Sequence, residues 1–124
     1  QVQDYRFDVT FADGLPVLRA DEPPPLGTGE GPSPVQLLAA AVGNCLSASL
    51  LFSVRKYKGD PGRLACSVQA EVGRNAEGRV RVLGLQARLT LGVPGAGIDH
   101  LDRVLASFED FCTVTQSVRE EARS

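Results

Sequence analysis

Three cysteines are the residues of this chain whose chemistry could extend beyond packing: Cys45, Cys66 and Cys112. A thiolate is a nucleophile, and two thiols that meet in a folded protein can pass through a sulfenic acid to a disulfide and back. No Cys-X-X-Cys pair is present and His100 is the only histidine, so we expect no metal site. An odd number of cysteines is typical of a reducing compartment, and we expect a cytoplasmic protein.

The three thiols have different sequence surroundings. Cys45 lies on an apolar seam with a 3-4-3-4 spacing, formed by Leu38, Ala41, Cys45, Ala48 and Phe52. The seam predicts a mid-helix position, where a free cysteine serves either as a packing residue or as a redox thiol. Cys112 is expected to open a helix, where free N–H groups favour a thiolate, although a packing role at a helix junction is the alternative. Cys66 falls on the apolar face of a predicted strand, and we assign it to the core.

The central element is a long helix with a well-marked start. Ser33, Pro34 and Gln36 have the spacing of a capping box with proline at the first helical position. The helix is predicted to run to about Tyr57. No charged residue occurs from Gly31 to Val54, which is long enough to span a bilayer. Because that stretch is rich in Ala, Ser and Gly, we instead predict a core helix buried on all sides, and no membrane association.

The remaining elements follow from alternation of apolar residues and from turn signals. Strands are predicted at 3–11, 15–20, 64–72 and 80–91, with a change of phase near Gly84 that predicts a bulge. A helix capped by Asp99 should end near Glu109, and a last helix should cover 113–122. This order predicts a single domain over residues 1–124 of the α+β class, with antiparallel sheets.

The composition of the chain excludes some classes of function. The chain has 124 residues, a net charge of −2, no Trp and few aromatic residues. This balance argues against a nucleic-acid partner, which would need a basic face or stacking platforms. The glycine-rich run from Gly27 to Gly31 lacks the Lys of a phosphate-binding loop, and we interpret it as a mobile loop, such as a lid.

Two segments together resemble the OsmC/Ohr family, the osmotically inducible and organic-hydroperoxide-resistance proteins. The first segment is the run from Gly31 to Cys45, GPSPVQLLAAAVGNC, and the second is the run from Cys112 to Val118, CTVTQSV. The pair of cysteines at a separation of 67 residues is more specific than either segment alone. The order of strands around the helix also fits, so the resemblance covers nearly the whole chain.

The resemblance implies a fold and an activity. The fold is α+β, with antiparallel sheets wrapped around a long central helix in an intertwined homodimer that has two sites at its interface. In active members the first cysteine attacks an organic hydroperoxide, the second condenses with the resulting sulfenic acid, and a dithiol of the lipoyl type restores both. Cys45 would then be peroxidatic and Cys112 resolving, and no cofactor is implied. An arginine ahead of the helix supports the thiolate in such members, and Arg19 is the best candidate here.

The sequence departs from the active members at two positions. Val35 stands ten residues before Cys45, where peroxidases of this family carry a Glu, and Thr113 follows Cys112 in place of the usual Pro. Two functions therefore stay open. One is a thiol-dependent peroxidase that acts on organic hydroperoxides in oxidative stress defence. The other is a non-catalytic dimeric module that binds an apolar ligand or senses redox state.

Overall fold

The computed structural model describes residues 1–98 and 100–123, so the predicted helix cap at Asp99 lies outside the described residues. The elements form the α+β arrangement that alternation predicted. In chain order they are β1 (Phe7–Val9), β2 (Leu18–Ala20), α1 (Pro34–Lys56), β3 (Ala65–Arg74), β4 (Val80–Thr90), α2 (Leu101–Ser107) and α3 (Thr113–Arg123). Short 3₁₀ turns at Gly95–Gly97 and Phe108–Phe111 flank α2. The chain divides into two compact units, 1–38 and 39–124.

The first unit contains a short antiparallel hairpin. β1 pairs with β2 in a register that sets Asp8 opposite Arg19, and Asp13 and Gly14 form the turn with positive φ angles of 68° and 71°. The expected strand over 3–11 is shorter than predicted. A tight turn with Asp4 at φ 50° folds Gln3 back onto Arg6, so the alternation before Phe7 does not continue one strand.

Helix α1 begins as the capping box predicts. The Ser33 N–H donates to Gln36 Oε1 at 2.9 Å, and the Gln36 N–H donates to Ser33 Oγ at 3.2 Å. These reciprocal bonds satisfy N–H groups that have no partner in the first helical turn. Arg55 and Lys56 lie in the last turn, where they face the negative end of the helix dipole.

The second unit is built around the buried side of α1. Four apolar side chains of α1 form a core with residues of α2, its flanking turns and Cys112, and the buried members are Val42, Leu46, Leu50, Val54, Ile98, Val104, Phe108 and Cys112. Leu85 and Leu89 of β4, and Leu64 just ahead of β3, pack against this core. The helix therefore joins the sheet and the C-terminal segment.

The β3–β4 hairpin forms the second antiparallel sheet, with strands about ten residues long. Glu71 pairs with Gly84 and Val72 pairs with Val82, so Leu83 is the extra residue of a bulge. The bulge predicted near Gly84 is confirmed. It explains the change of phase, because one inserted residue moves the following side chains to the opposite face of the sheet.

One side of α1 remains exposed in the single chain, which differs from the expected burial on all sides. Ala41 and Ala48 are exposed, and Phe52 is 66% exposed. By length and hydropathy α1 could cross a membrane, but 44% of its most apolar window is buried within the protein. Its buried face contributes four side chains to the core, as expected of a core helix.

Candidate active site

Cys45 projects from the middle of α1 beside the core. It is half-buried and packs against the core cluster that contains Cys112. Ser49 lies one helical turn further along on the same face, because residues four apart on a helix are neighbours. Ser49 is 9% exposed, so its hydroxyl lies inside the protein near the thiol.

Cys112 is the N-cap residue of α3, so its predicted position at the start of a helix is confirmed. Its carbonyl accepts the first bond of the helix, from the Gln116 N–H at 3.0 Å. Its sulfur lies 2.8 Å from Thr115 Oγ1, and the side chain is fully buried. Thr115 occupies the third helical position, where the backbone N–H is free to bond a capping group.

Cys45 packs against the core cluster that contains Cys112. The side chains that influence the titration of the Cys112 thiol are those of Cys45, Thr115 and Ser49. Burial raises the pKa of the Cys112 thiol, but hydrogen bonds from Cys45, from the hydroxyl and N–H of Thr115, and from Ser49 outweigh it and hold that pKa below its ordinary value. The arrangement can stabilise a thiolate without a metal or a neighbouring cation.

Cys66 belongs to a different environment. It lies half-buried in β3, and its sulfur is 3.4 Å from the position a Cβ of Gly43 would take. Gly43 and Cys45 are two residues apart on α1, so they face different directions. Cys66 therefore lies beside the sheet-facing side of α1, but it is only half-buried and is not part of the core cluster, which differs from its assignment to the core.

Arg19 belongs to the first unit, where it lies on β2. Its Nε donates to Asp8 Oδ1 at 3.0 Å across the hairpin. The hydrogen bond and charge of Asp8 raise the pKa of Arg19 above its ordinary value. The described contacts of this arginine thus tie it to Asp8, and its predicted role beside the Cys45 thiolate stays a prediction.

A second arginine of the first unit, which sequence reasoning did not single out, lies in an acidic cluster. Arg6 pairs with Glu30, and its buried Nε lies 3.7 Å from Asp21 Oδ2. Asp21 is 3% exposed and accepts bonds from the N–H groups of Glu22 and Glu30 and from the Thr28 hydroxyl. These contacts fasten the loop ahead of α1.

The same cluster shows how a carboxylate can be buried. Burial raises the pKa of Asp21, but the backbone bonds from Glu22 and Glu30 and the bonds from Thr28 outweigh it and lower that pKa below its ordinary value. This cluster was difficult to predict from the sequence, because nothing distinguishes Asp21 from other polar residues at the edge of a Pro- and Gly-rich loop.

No acidic residue occupies the first turn of α1, so the carboxylate expected of active peroxidases is absent from that place. Among residues 1–98 and 100–123, no group of three or more His, Cys, Asp or Glu side chains could hold a metal ion. The chemistry open to the candidate site is therefore that of its two thiols and their hydroxyl neighbours.

Comparison with known proteins identifies the fold. The family model of OsmC-like proteins matches residues 27–123, most of the chain, and the chain belongs to this family. It therefore has the OsmC-like fold, with helices and two antiparallel sheets, and the predicted resemblance and fold class are confirmed. A search of curated proteins gives no match.

Solved structures of low sequence identity share this fold. A protein of Psychrobacter arcticus, proposed to be induced by osmotic stress and to act in detoxification, is 20% identical with a TM-score of 0.79, over 94% of this chain and 82% of that one. An OsmC-like protein of unknown function from Vibrio cholerae is 18% identical with a TM-score of 0.74, over 92% and 79%. An organic hydroperoxide resistance protein of Elizabethkingia anophelis is 19% identical with a TM-score of 0.71, over 95% and 84%.

Proposed function

We propose that this protein is a thiol-dependent peroxidase that reduces organic hydroperoxides and so serves the defence against oxidative stress. The observation that carries the proposal is that Cys45 packs against the core cluster containing Cys112, although the two cysteines are 67 residues apart in sequence. Membership of the OsmC-like family and the likeness to an organic hydroperoxide resistance protein agree with this function.

The reaction uses the two thiols in turn. The Cys45 thiolate attacks the terminal oxygen of the hydroperoxide and the O–O bond breaks, so that Cys45 becomes a sulfenic acid. The alkoxide that leaves takes a proton from water and departs as the alcohol. Cys112 then attacks the Cys45 sulfur, forming the disulfide and releasing water. A dithiol of the lipoyl type reduces the disulfide and is itself oxidised to a disulfide. Arg19 would support the first thiolate.

A homodimer in the cytoplasm is part of the same proposal. The exposed side of α1 carries Ala41, Ala48 and Phe52, and an apolar stripe of this kind is typical of a surface that another chain covers. Large apolar side chains are also exposed in the first unit, among them Val2, Tyr5, Phe7, Phe11, Leu15, Val17 and Leu26. These features agree with an intertwined pair of chains.

A second candidate function is a non-catalytic dimeric module that binds an apolar ligand or senses redox state. Val35 favours it, since the first turn of α1 has no acidic residue.

Thiol counting distinguishes the two functions. The fully reduced protein is treated with cumene hydroperoxide, and free thiols are titrated with time. We expect the loss of the Cys45 and Cys112 thiols as one disulfide, no such disulfide in Cys45→Ser, and unchanged behaviour in the matched control Cys66→Ser. Unchanged thiols in excess hydroperoxide would reject the peroxidase and favour the binding module.

A further inference from the structure

The two sulfurs of the candidate site differ in how far a reductant can reach them. Cys112 has no exposed surface, whereas Cys45 is half-buried on α1. Thiol–disulfide exchange begins with attack of a thiolate on one sulfur of the disulfide and expels the other. Because assembly into a dimer can only add to the burial of Cys112, an incoming dithiol cannot reach that sulfur, and Cys45 is the sulfur left for it to attack.

The two sulfurs also differ in how well they carry a negative charge. The Cys112 thiol donates a hydrogen bond to Thr115 Oγ1 at 2.8 Å, at the start of α3. The hydroxyl and N–H of Thr115, together with Ser49 from α1, also lower the pKa of the Cys112 thiol against the effect of burial. Both residues are nearly buried, at 6% and 9% exposure, so their bonds to the sulfur are shielded from water. A sulfur that is stabilised as a thiolate is the better leaving group in exchange.

Charged side chains near Cys112 do not compete with these bonds. On the elements that flank it, Glu109 and Arg119 pair with each other at 2.9 Å, and Gln116 Nε2 donates to the Glu109 carbonyl. Across the site, α1 carries no charged residue before Arg55. The groups that lower the pKa of the Cys112 thiol, Cys45, Thr115 and Ser49, are uncharged residues.

We infer that Thr115 and Ser49 are positioning residues that make Cys112 the leaving sulfur when the Cys45–Cys112 disulfide is reduced, so that the dithiol attacks Cys45. This inference rests on the proposed function. The thiolate of the dithiol bonds to Cys45 Sγ, the disulfide breaks, and its electron pair stays on Cys112 Sγ as a thiolate. The second thiol of the reductant then displaces Cys45, which leaves as a thiol while the reductant closes its own disulfide.

The direction of attack can be trapped. The protein is oxidised with diamide, reacted briefly with 2-mercaptoethanol, quenched with N-ethylmaleimide in acid and mapped by peptide mass spectrometry. We expect mercaptoethanol on Cys45 and maleimide on Cys112. The opposite labelling would overturn this inference alone, whereas failure of diamide to join the two cysteines would overturn both the inference and the proposed function.

The role of Thr115 can be measured without hydroperoxide. Because a hydrogen bond to a charged group is lost, Thr115→Val should shift the dithiol–disulfide equilibrium about tenfold toward the disulfide in a dithiothreitol buffer. It should also raise the pKa of Cys112 when the ¹³Cβ resonances of the cysteines are followed against pH. Thr115→Ser should restore both values, and Ser49→Ala should act in the same direction as Thr115→Val. A Thr115→Val protein with an unchanged equilibrium and an unchanged Cys112 pKa would overturn the inference.

Discussion

Gly43 and Val68 bring α1 and β3 closer together than any larger residue at position 43 would allow. A Cβ at Gly43 would lie 2.9 Å from Val68 Cγ2 and 3.4 Å from the sulfur of Cys66. Real Cβ atoms do not approach so near, and the branched side chain of valine has little freedom to move aside. The contact fixes the distance between the helix that carries Cys45 and the sheet behind it.

Gly43→Ala should therefore destabilise the protein. Overpacking costs about 1–3 kcal/mol, and the better helix propensity of Ala returns about 1 kcal/mol, which leaves a net loss of about 1 kcal/mol. Urea unfolding at a fixed protein concentration measures it. The double variant Gly43→Ala/Val68→Ala should show a favourable coupling between the two sites, since the smaller residue relieves the clash. A stabilised Gly43→Ala single variant would contradict the close contact.

The capping box sets the start of α1. Ser33→Ala should lower the free energy of unfolding by about 1 kcal/mol, because the Gln36 N–H loses its acceptor. Ser33→Asp keeps an oxygen in the same place and should retain most of the stability. Chemical unfolding of the three proteins at equal concentration checks this. Equal stability of wild type and Ser33→Ala would show that the cap contributes nothing.

The exposed side of α1 predicts the outcome of placing a charge there. Ala48→Glu and Ala41→Glu should convert the proposed homodimer into a folded monomer, because each would bury an unpaired carboxylate at the proposed subunit contact. Light scattering after size exclusion should give 13.2 kDa for either variant and twice that mass for the wild type.

The matched control for that experiment is Ala76→Glu, in the exposed turn between β3 and β4. It should remain dimeric, and far-UV circular dichroism confirms that all variants are folded. A monomeric wild type, or a dimeric Ala48→Glu, would contradict the assignment of this face.

The buried carboxylate of Asp21 predicts a loss of stability in acid. Its pKa is lowered in the folded protein, so its contribution is fully present above the ordinary pKa of Asp and disappears as the pH falls through the lower folded value. Asp21→Asn should therefore be less stable than wild type at neutral pH, and the gap should narrow below about pH 4.

Thermal unfolding against pH measures the effect. Asp13→Asn, in the exposed turn between β1 and β2, is the control for removing a carboxylate elsewhere in the first unit. A difference between wild type and Asp21→Asn that stays constant down to low pH would contradict a lowered pKa of Asp21.

Local signals in the sequence predicted the elements well. The capping box at Ser33 and the bulge near Gly84 both depend on residues close in the chain, so they could be recognised without tertiary information. The resemblance carried by Cys45 and Cys112 predicted the fold. The shared redox role of the two thiols stays a prediction of that resemblance, because spacing alone left each of them open to a packing role.

Other features depend on contacts that no local pattern contains. Both sides of α1 are apolar, so periodicity alone could not predict which side the chain buries. The structure buries the side with Leu46 and Leu50 and leaves the side with Ala48 and Phe52 exposed. Ser49 and Thr115 were missed, although each has a signal. Ser49 is four residues after Cys45 on one helix face, and Thr115 is three residues after a capping cysteine.

The separation of the paired cysteines along the chain has a kinetic consequence. The turns, the hairpins and the start of α1 join residues close in sequence and can form quickly, whereas Cys45 and Cys112 meet only after a loop of more than half the chain has closed. We therefore expect their encounter late in the maturation of a newly made chain. A nascent polypeptide would acquire its competence for thiol exchange only when its C-terminal segment has been synthesised and docked.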